Sequence, residues 1–313
     1  MVLLAVIATL LPGAAAFAAV ESASGITIDD AMRRATSLYR SPGVAAQLLA
    51  NDEEAVPPEY PRTYRERDRH LLRDLANAGE YLAKDLGYFY SAPARIDRTS
   101  ALWLGGILAV GGVIYAYDQE IYEEVKRNEE HGLLKPFIEI SEEIETLGYG
   151  GTNTKMYTVA LLAGYVSGWD KLEAIAIDLW ESYIIAGTMK NVANFAMGRA
   201  RPNDQRGPYF FKHNQGTSLP SGHTSNIIQM ARILEYHIDF WPFTVVAYTG
   251  AGTIALERIS SGNHWASDVY IALIYAWLVA DRVVERNERR RLLITPTTVG
   301  DGSSPGLGLT WRF

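Results

Sequence analysis

Asn194-Phe195-Ala196-Met197-Gly198-Arg199-Ala200-Arg201-Pro202 is followed by Leu219-Pro220-Ser221-Gly222-His223-Thr224. Then comes Glu257-Arg258-Ile259-Ser260-Ser261-Gly262-Asn263-His264-Trp265-Ala266-Ser267-Asp268. These three clusters lie inside residues 194–268 and decide how the whole chain is read. They offer arginines, two histidines, one carboxylate and a Ser-Gly turn at a helix start, the groups needed to hold and cleave a phosphate ester.

In the third cluster His264 and Asp268 are four residues apart. On a helix that spacing places both on one face. The carboxylate can then accept from one imidazole nitrogen, fixing the tautomer and leaving the other nitrogen free to attack. An ordinary structural pair has the same spacing. Arg258 precedes His264 by six residues across Ser261-Gly262-Asn263, a turn able to fold the guanidinium back towards the ring, where its paired donors suit phosphate oxygens.

In the second cluster Ser221 is a natural helix N-cap, and Gly222 leaves its amide unshielded where the first N–H groups of a helix attract an anion. His223 in the first turn can face that anion and protonate a leaving oxygen; the alternative is a capped helix with a surface histidine. In the first cluster Asn194 lies seven residues before Arg201, on the same helix face and about 10 Å away along the axis. Arg199 points elsewhere and is expected to be structural.

Outward from the clusters the chain reads as helical. Residues 101–117 are the most apolar internal run and carry no charge; as a helix they span about 25 Å, just short of a bilayer core. Gly105, Gly106, Gly111 and Gly112 in that run offer close approach to a neighbouring helix. A charged, helix-like stretch from Asp118 to Thr146 follows, broken around Gly132 and Pro136. Further apolar segments occupy about 154–169, 172–197, 243–256 and 265–281, and a helix starts near Ser221 and runs to about Tyr236. Residues 65–90 form an amphipathic helix, packed on the body or lying on a membrane surface. Asp281 to Arg291 reads as the solvated end of the last helix. The glycines and prolines after Thr295 suggest a turn and a short terminal strand.

The expected fold is therefore all-α, a bundle of about six core helices with an extra N-terminal helical arm and a short C-terminal β-hairpin or strand. The divisions are 1–18, 19–100, 101–283 and 284–313. Met1 to Ala18 reads as an export signal, with Ala16-Phe17-Ala18 before the cleavage point. No Lys or Arg precedes its apolar stretch, and the alternative is a buried or membrane-anchoring helix. A net charge of −7 and a pI near 5.5 argue against a nucleic-acid partner. The absence of cysteine excludes disulfides and thiolate metal sites. A mean hydropathy of −0.04 is low for a polytopic membrane protein.

The clusters together closely resemble the type 2 phosphatidic acid phosphatase superfamily, which also holds the bacterial class A acid phosphatases and the vanadium haloperoxidases. Its pattern is Lys-x6-Arg-Pro, Pro-Ser-Gly-His and Ser-Arg-x5-His-x3-Asp. The resemblance covers about residues 100–283 and departs at two positions. Glu257 replaces a serine, a minor change. Asn194 replaces the lysine and removes a positive charge from the phosphate pocket; Lys190, one turn earlier, can reach part of the way. The resemblance implies a phosphatase bundle without metal or cofactor. Arg201, Arg258, Ser221, the Gly222 amide and Asn194 would hold the phosphoryl group of a phosphorylated substrate, expected to be a lipid, at a membrane of the cell envelope. His264 would attack phosphorus, Asp268 would orient it, and His223 would protonate the leaving oxygen. Two other readings remain: a vanadate-dependent haloperoxidase, and a weak or inactive phosphate-binding member, which Asn194 favours.

Overall fold

The computed structural model describes residues 71–130, 134–291, 294–299 and 304–309; the expected export signal and the proline-punctuated segment after it lie outside the described residues. In chain order the helices are α1 (Leu71–Tyr90), α2 (Arg98–Ala116), α3 (Asp118–Asn128), α4 (Leu134–Ile144), α5 (Gly150–Ser167), α6 (Asp170–Met197), α7 (Gly222–Ile238), α8 (Trp241–Ser260) and α9 (Ala266–Arg291). Beyond them, β1 (Ile294–Val299) and β2 (Ser304–Leu309) pair antiparallel.

The all-α bundle expected from the sequence is the architecture found. The six expected core helices correspond to α2 and α5 to α9, and the charged stretch after α2 resolves into α3 and α4. Pro136 does not break it: the proline sits in the first turn of α4, where a missing N–H costs no helical hydrogen bond.

α9 runs through the centre because its apolar and small residues face three neighbours at once. Val269 joins Ile121, Val125 and Ile259. Ala276, Ala280 and Val284 join Ile227, Ile233 and Ile254. Val279 and Val283 join Tyr88, Phe89 and Ile185. Of the four glycines in α2, only Gly111 meets another helix: a Cβ there would lie 3.2 Å from the Tyr270 ring.

Several charged residues inside the apolar segments pair within the bundle. Arg232 holds Asp281 at 2.5 Å, and Asp178 accepts from Arg291 at 2.6 Å and from Asn287 at 2.8 Å. The basic end of α9 is therefore not solvated as expected. Arg282 and Arg290 are buried, and Arg286 and Arg290 clamp Asp85 of α1 at 2.8 and 2.5 Å. This clamp, with Tyr88 and Phe89 in the core, packs α1 onto the body. Buried carboxylates require such partners, since an uncompensated interior charge costs several kcal/mol.

Candidate active site

α6 ends because Gly198 takes the left-handed conformation, φ +59°, and returns its N–H to the Asn194 carbonyl at 2.9 Å. A Cβ there would lie 1.8 Å from the Lys212 carbonyl oxygen, so a side chain would both strain and clash. The chain then passes through Ala200, whose carbonyl accepts from the Trp265 indole at 2.8 Å. Pro202 opens a 3-10 turn, Pro202–Asp204. Within it, Asn203 donates its N–H to the Gly262 carbonyl at 3.1 Å and its side-chain amide to the Ser261 carbonyl at 2.9 Å. Ser221 caps α7. Its Oγ accepts from the Thr224 hydroxyl at 2.9 Å, which leaves its own proton to donate. Ser218 N–H bonds the Arg199 carbonyl at 3.2 Å, and Ser221 N–H the Asp268 carbonyl at 3.4 Å. These bonds stitch the three clusters into one end of the bundle.

His264 is buried, with Nδ1 2.6 Å from the Ser218 carbonyl oxygen. A carbonyl only accepts, so Nδ1 carries the hydrogen and Nε2 keeps its lone pair. The expected contact from Asp268 is not made. α9 begins at Ala266, so His264 precedes the helix and a spacing of four does not put the two side chains on one face. Asp268 accepts instead from the Ser218 hydroxyl at 2.5 Å, the Trp265 N–H at 3.0 Å and Arg199 at 2.5 Å. It holds the residue whose carbonyl orients the imidazole.

Burial, opposed by the Ser218 hydrogen bond and reinforced by the charges of Arg201, His223 and Arg258, brings the His264 imidazole down to about 3. Burial, against the pull of Arg199, pushes the Asp268 carboxyl up to about 6. Near neutrality His264 is uncharged, the form in which a nitrogen lone pair is available.

His223 sits across the same charges. Burial first, then Arg258, Arg201 and Lys190, with Glu145 opposing, bring its imidazole down to about 4. The Tyr149 ring meets it edge-on at 4.5 Å, and a Cβ on Gly148 would lie 2.9 Å from its Cδ2. The Glu145–Gly148 turn and Tyr149 therefore form one wall of the site. Among the described residues, Asn194 Oδ1, Arg201 Nε and His223 Nε2 are buried with no hydrogen-bond partner. Orphaned polar atoms are costly, and three predicted site residues carry them together. Both histidines feel the charges of Arg201 and Arg258, so these four predicted side chains lie near one another, whereas Asp268 turns away to Ser218 and Arg199.

Residues 175–291, which contain all three clusters, match the family model described as the PAP2 superfamily. Over this segment the chain is similar to the PAP2 superfamily. Over 161 residues it is 26% identical to the lipid A 1-phosphatase of Porphyromonas gingivalis, a stretch covering 44% of this chain and 32% of that protein. The chain thus spans well under two thirds of that relative's length. No solved structure matches it.

Of the two departures from the PAP2 pattern, Glu257 is not minor. Arg258 is buried and bonded to Glu257, while its Nη2 also holds Glu145 at 2.7 Å. Two carboxylates thus share the Arg258 guanidinium. Burial, against the pull of Arg258, raises the Glu257 carboxyl. Glu145, from the turn before α5, had no signal in the sequence. The expected result for Glu145→Gln is tighter anion binding. Loss of a partly exposed ion-pair partner is worth about 0.2–1 kcal/mol, so the inhibition constant of inorganic phosphate should fall by about 1.4- to fivefold. An unchanged or higher constant would mean that Glu145 supports the site.

Proposed function

We propose that this chain is a phosphatase of the cell envelope. It would hydrolyse the phosphate monoester or diphosphate of a lipid through a phosphohistidine on His264. The observation that carries the reading is the grouping of two uncharged imidazoles, His264 buried and His223 half-buried, with Arg201 and Arg258, the His264 ring turned by Ser218 so that Nε2 is free.

In this mechanism Arg201, Arg258, Ser221 and the Gly222 amide hold the phosphoryl oxygens and neutralise their charge. His264 Nε2 attacks phosphorus, and the bond from phosphorus to the ester oxygen breaks. His223 Nε2 delivers a proton to that oxygen. In the second step His223 takes a proton from water, the water oxygen bonds to phosphorus, the P–N bond breaks and inorganic phosphate leaves. A bound phosphate offsets the cations that depress His223 and so restores its capacity to carry the proton.

Lipid as substrate is supported by the relative's printed activity and by α2. That helix is long and apolar enough to cross a membrane, with a mean hydropathy of 1.6. Its Leu102, Leu108 and Val113 are 70%, 57% and 60% exposed, far more than a core helix presents. Tyr117 follows it directly, and the Tyr209 hydroxyl bonds its last carbonyl at 3.0 Å, aromatic groups suited to a membrane interface. Asp118, the next residue, accepts from Arg199, which also holds Asp268. Asp268 is thereby tied to the end of α2, which supports a site at headgroup depth.

The test is to fractionate the expressed protein into soluble and detergent-extracted pools and to assay each against a lipid phosphate and a water-soluble phosphomonoester across pH. Activity is expected in the detergent pool with preference for lipid. With His223 uncharged in the free enzyme, the reacting ester must itself bring a proton. The value of kcat/KM should then fall about tenfold per unit above the second ionisation of the phosphate, near pH ~6. Hydrolysis of neither substrate would sink the phosphatase reading in favour of a phosphate-binding protein.

A further inference from the structure

We propose that Lys190 has taken over, from one helical turn away, the phosphate-binding charge that the Asn194 position lacks. The inference rests on the phosphate-site reading above and extends it to a residue outside the family pattern. Both residues lie on α6, four positions apart and thus on one face. The Lys190 side chain runs towards the start of α7: a Cβ placed on Gly222 would lie 3.6 Å from Nζ and 3.5 Å from Cδ. The ammonium thus stands over the backbone amide expected to bind phosphate.

Its surroundings make no sense without an anion. Lys190 is half-buried, and among the described residues no carboxylate pairs with it. Its neighbours are cationic. Burial and then the charge of Arg201 lower its pKa, and its own charge helps to depress His223. The positive end of α7 faces it as well. A solvated conformation would be preferred by an unpaired ammonium unless a negative ligand completed the cluster. A tetrahedral dianion between Lys190, Arg201, Arg258 and the Gly222 amide does so, and it also reaches the orphaned Arg201 Nε and the Asn194 side chain. Asn194 is shorter than a lysine and uncharged, and its amide can offer a neutral hydrogen bond.

The experiment compares the full chain with Lys190→Met, Lys190→Gln and the transposed variant Lys190→Asn/Asn194→Lys. Inorganic phosphate and orthovanadate serve as probes, read by calorimetry and by inhibition of p-nitrophenyl phosphate hydrolysis. Loss of one charge-assisted contact should weaken phosphate binding by about 10- to 100-fold in Lys190→Met and Lys190→Gln. The transposed variant should recover to within about threefold of wild type. Without phosphate, the thermal midpoint of Lys190→Met should be unchanged or higher, because a repelled charge has been removed, whereas a structural lysine would lower it. Phosphate affinity equal to wild type in both single variants, or a lowered midpoint with intact affinity, overturns the proposal. If wild type binds phosphate but hydrolyses nothing, the enzymatic reading fails while Lys190 stands. If the single variants bind phosphate and turn over as wild type does, Lys190 fails alone. If wild type binds no phosphate, both fall.

Discussion

His264→Asn is expected to remove hydrolysis by about 10⁴-fold or more while leaving the bundle folded. The choice of asparagine follows from the geometry. Nδ1 of His264 donates to the Ser218 carbonyl at 2.6 Å, and the asparagine amide offers a donor at nearly the same distance from Cα. The orienting hydrogen bond can survive, but nothing remains where Nε2 presents its lone pair. Loss of activity with an unchanged thermal midpoint would therefore report the chemistry of one nitrogen rather than collapse of the loop.

A companion variant separates the two histidines. p-Nitrophenolate leaves without help from an acid, so His223→Ala should still be phosphorylated by that substrate. It would then stall, because His223 is also the base for the second step. A burst of about one equivalent of nitrophenol per chain, and a trapped label that survives alkali but not acid, are expected of a phosphoimidazole. A label stable to acid would place the phosphoryl group on another atom, and His264→Asn with activity within about tenfold of wild type would remove His264 from the chemistry altogether.

How much of this was legible depended on how local each signal was. Ser221 as an N-cap, Gly262 as a turn residue and the span of α7 follow from a few adjacent residues, and the chain obeys those rules; Gly198 instead ends α6 before Arg201, so Asn194 and Arg201 do not share a helix face as the sequence suggests. The contact between His264 and Asp268 was inferred from a spacing of four, which holds only inside a helix. The helix begins two residues after His264, and that small offset sends the carboxylate to Ser218 and Arg199 instead. Arg282 to Arg291 read as a solvated helix end because their partners are far away in sequence. Asp85 is about two hundred positions upstream of Arg286 and Arg290, and Asp178 more than a hundred from Arg291. Glu145 and Tyr149 were invisible for the same reason. Asp118 did leave a trace, as the first charge after a long uncharged run, but nothing local said that it turned inwards.

Arg199 was set aside as structural, and the structure makes it the residue on which the site's rigidity depends. The second large effect is expected there. Its guanidinium is buried, and its three nitrogens make five hydrogen bonds: two to the Pro208 carbonyl, and one each to Ser267, Asp118 and Asp268. Five is the full donor capacity of an arginine. Arg199→Met would leave Asp118 and Asp268, both fully buried, facing one another without a cation.

Breaking a buried pair in this way costs about 3–5 kcal/mol, a fall in thermal midpoint of roughly 10 °C for a bundle of this size. Any protein that still folds should lose most activity, because Asp268 would no longer fix Ser218, and Ser218 aims His264. Arg199→Lys should rescue little, since an ammonium has three donors and no planar fork. Asp118→Asn is the informative contrast. Burial, against the attraction of Arg199, raises the Asp118 carboxyl, so its buried charge is held at a cost that an amide of the same shape does not bear. Midpoint and kcat for that variant should stay within about 3 °C and about tenfold of wild type. Were Asp118→Asn as damaging as Arg199→Met, the charge balance argued here would be wrong, and shape alone would explain the clamp.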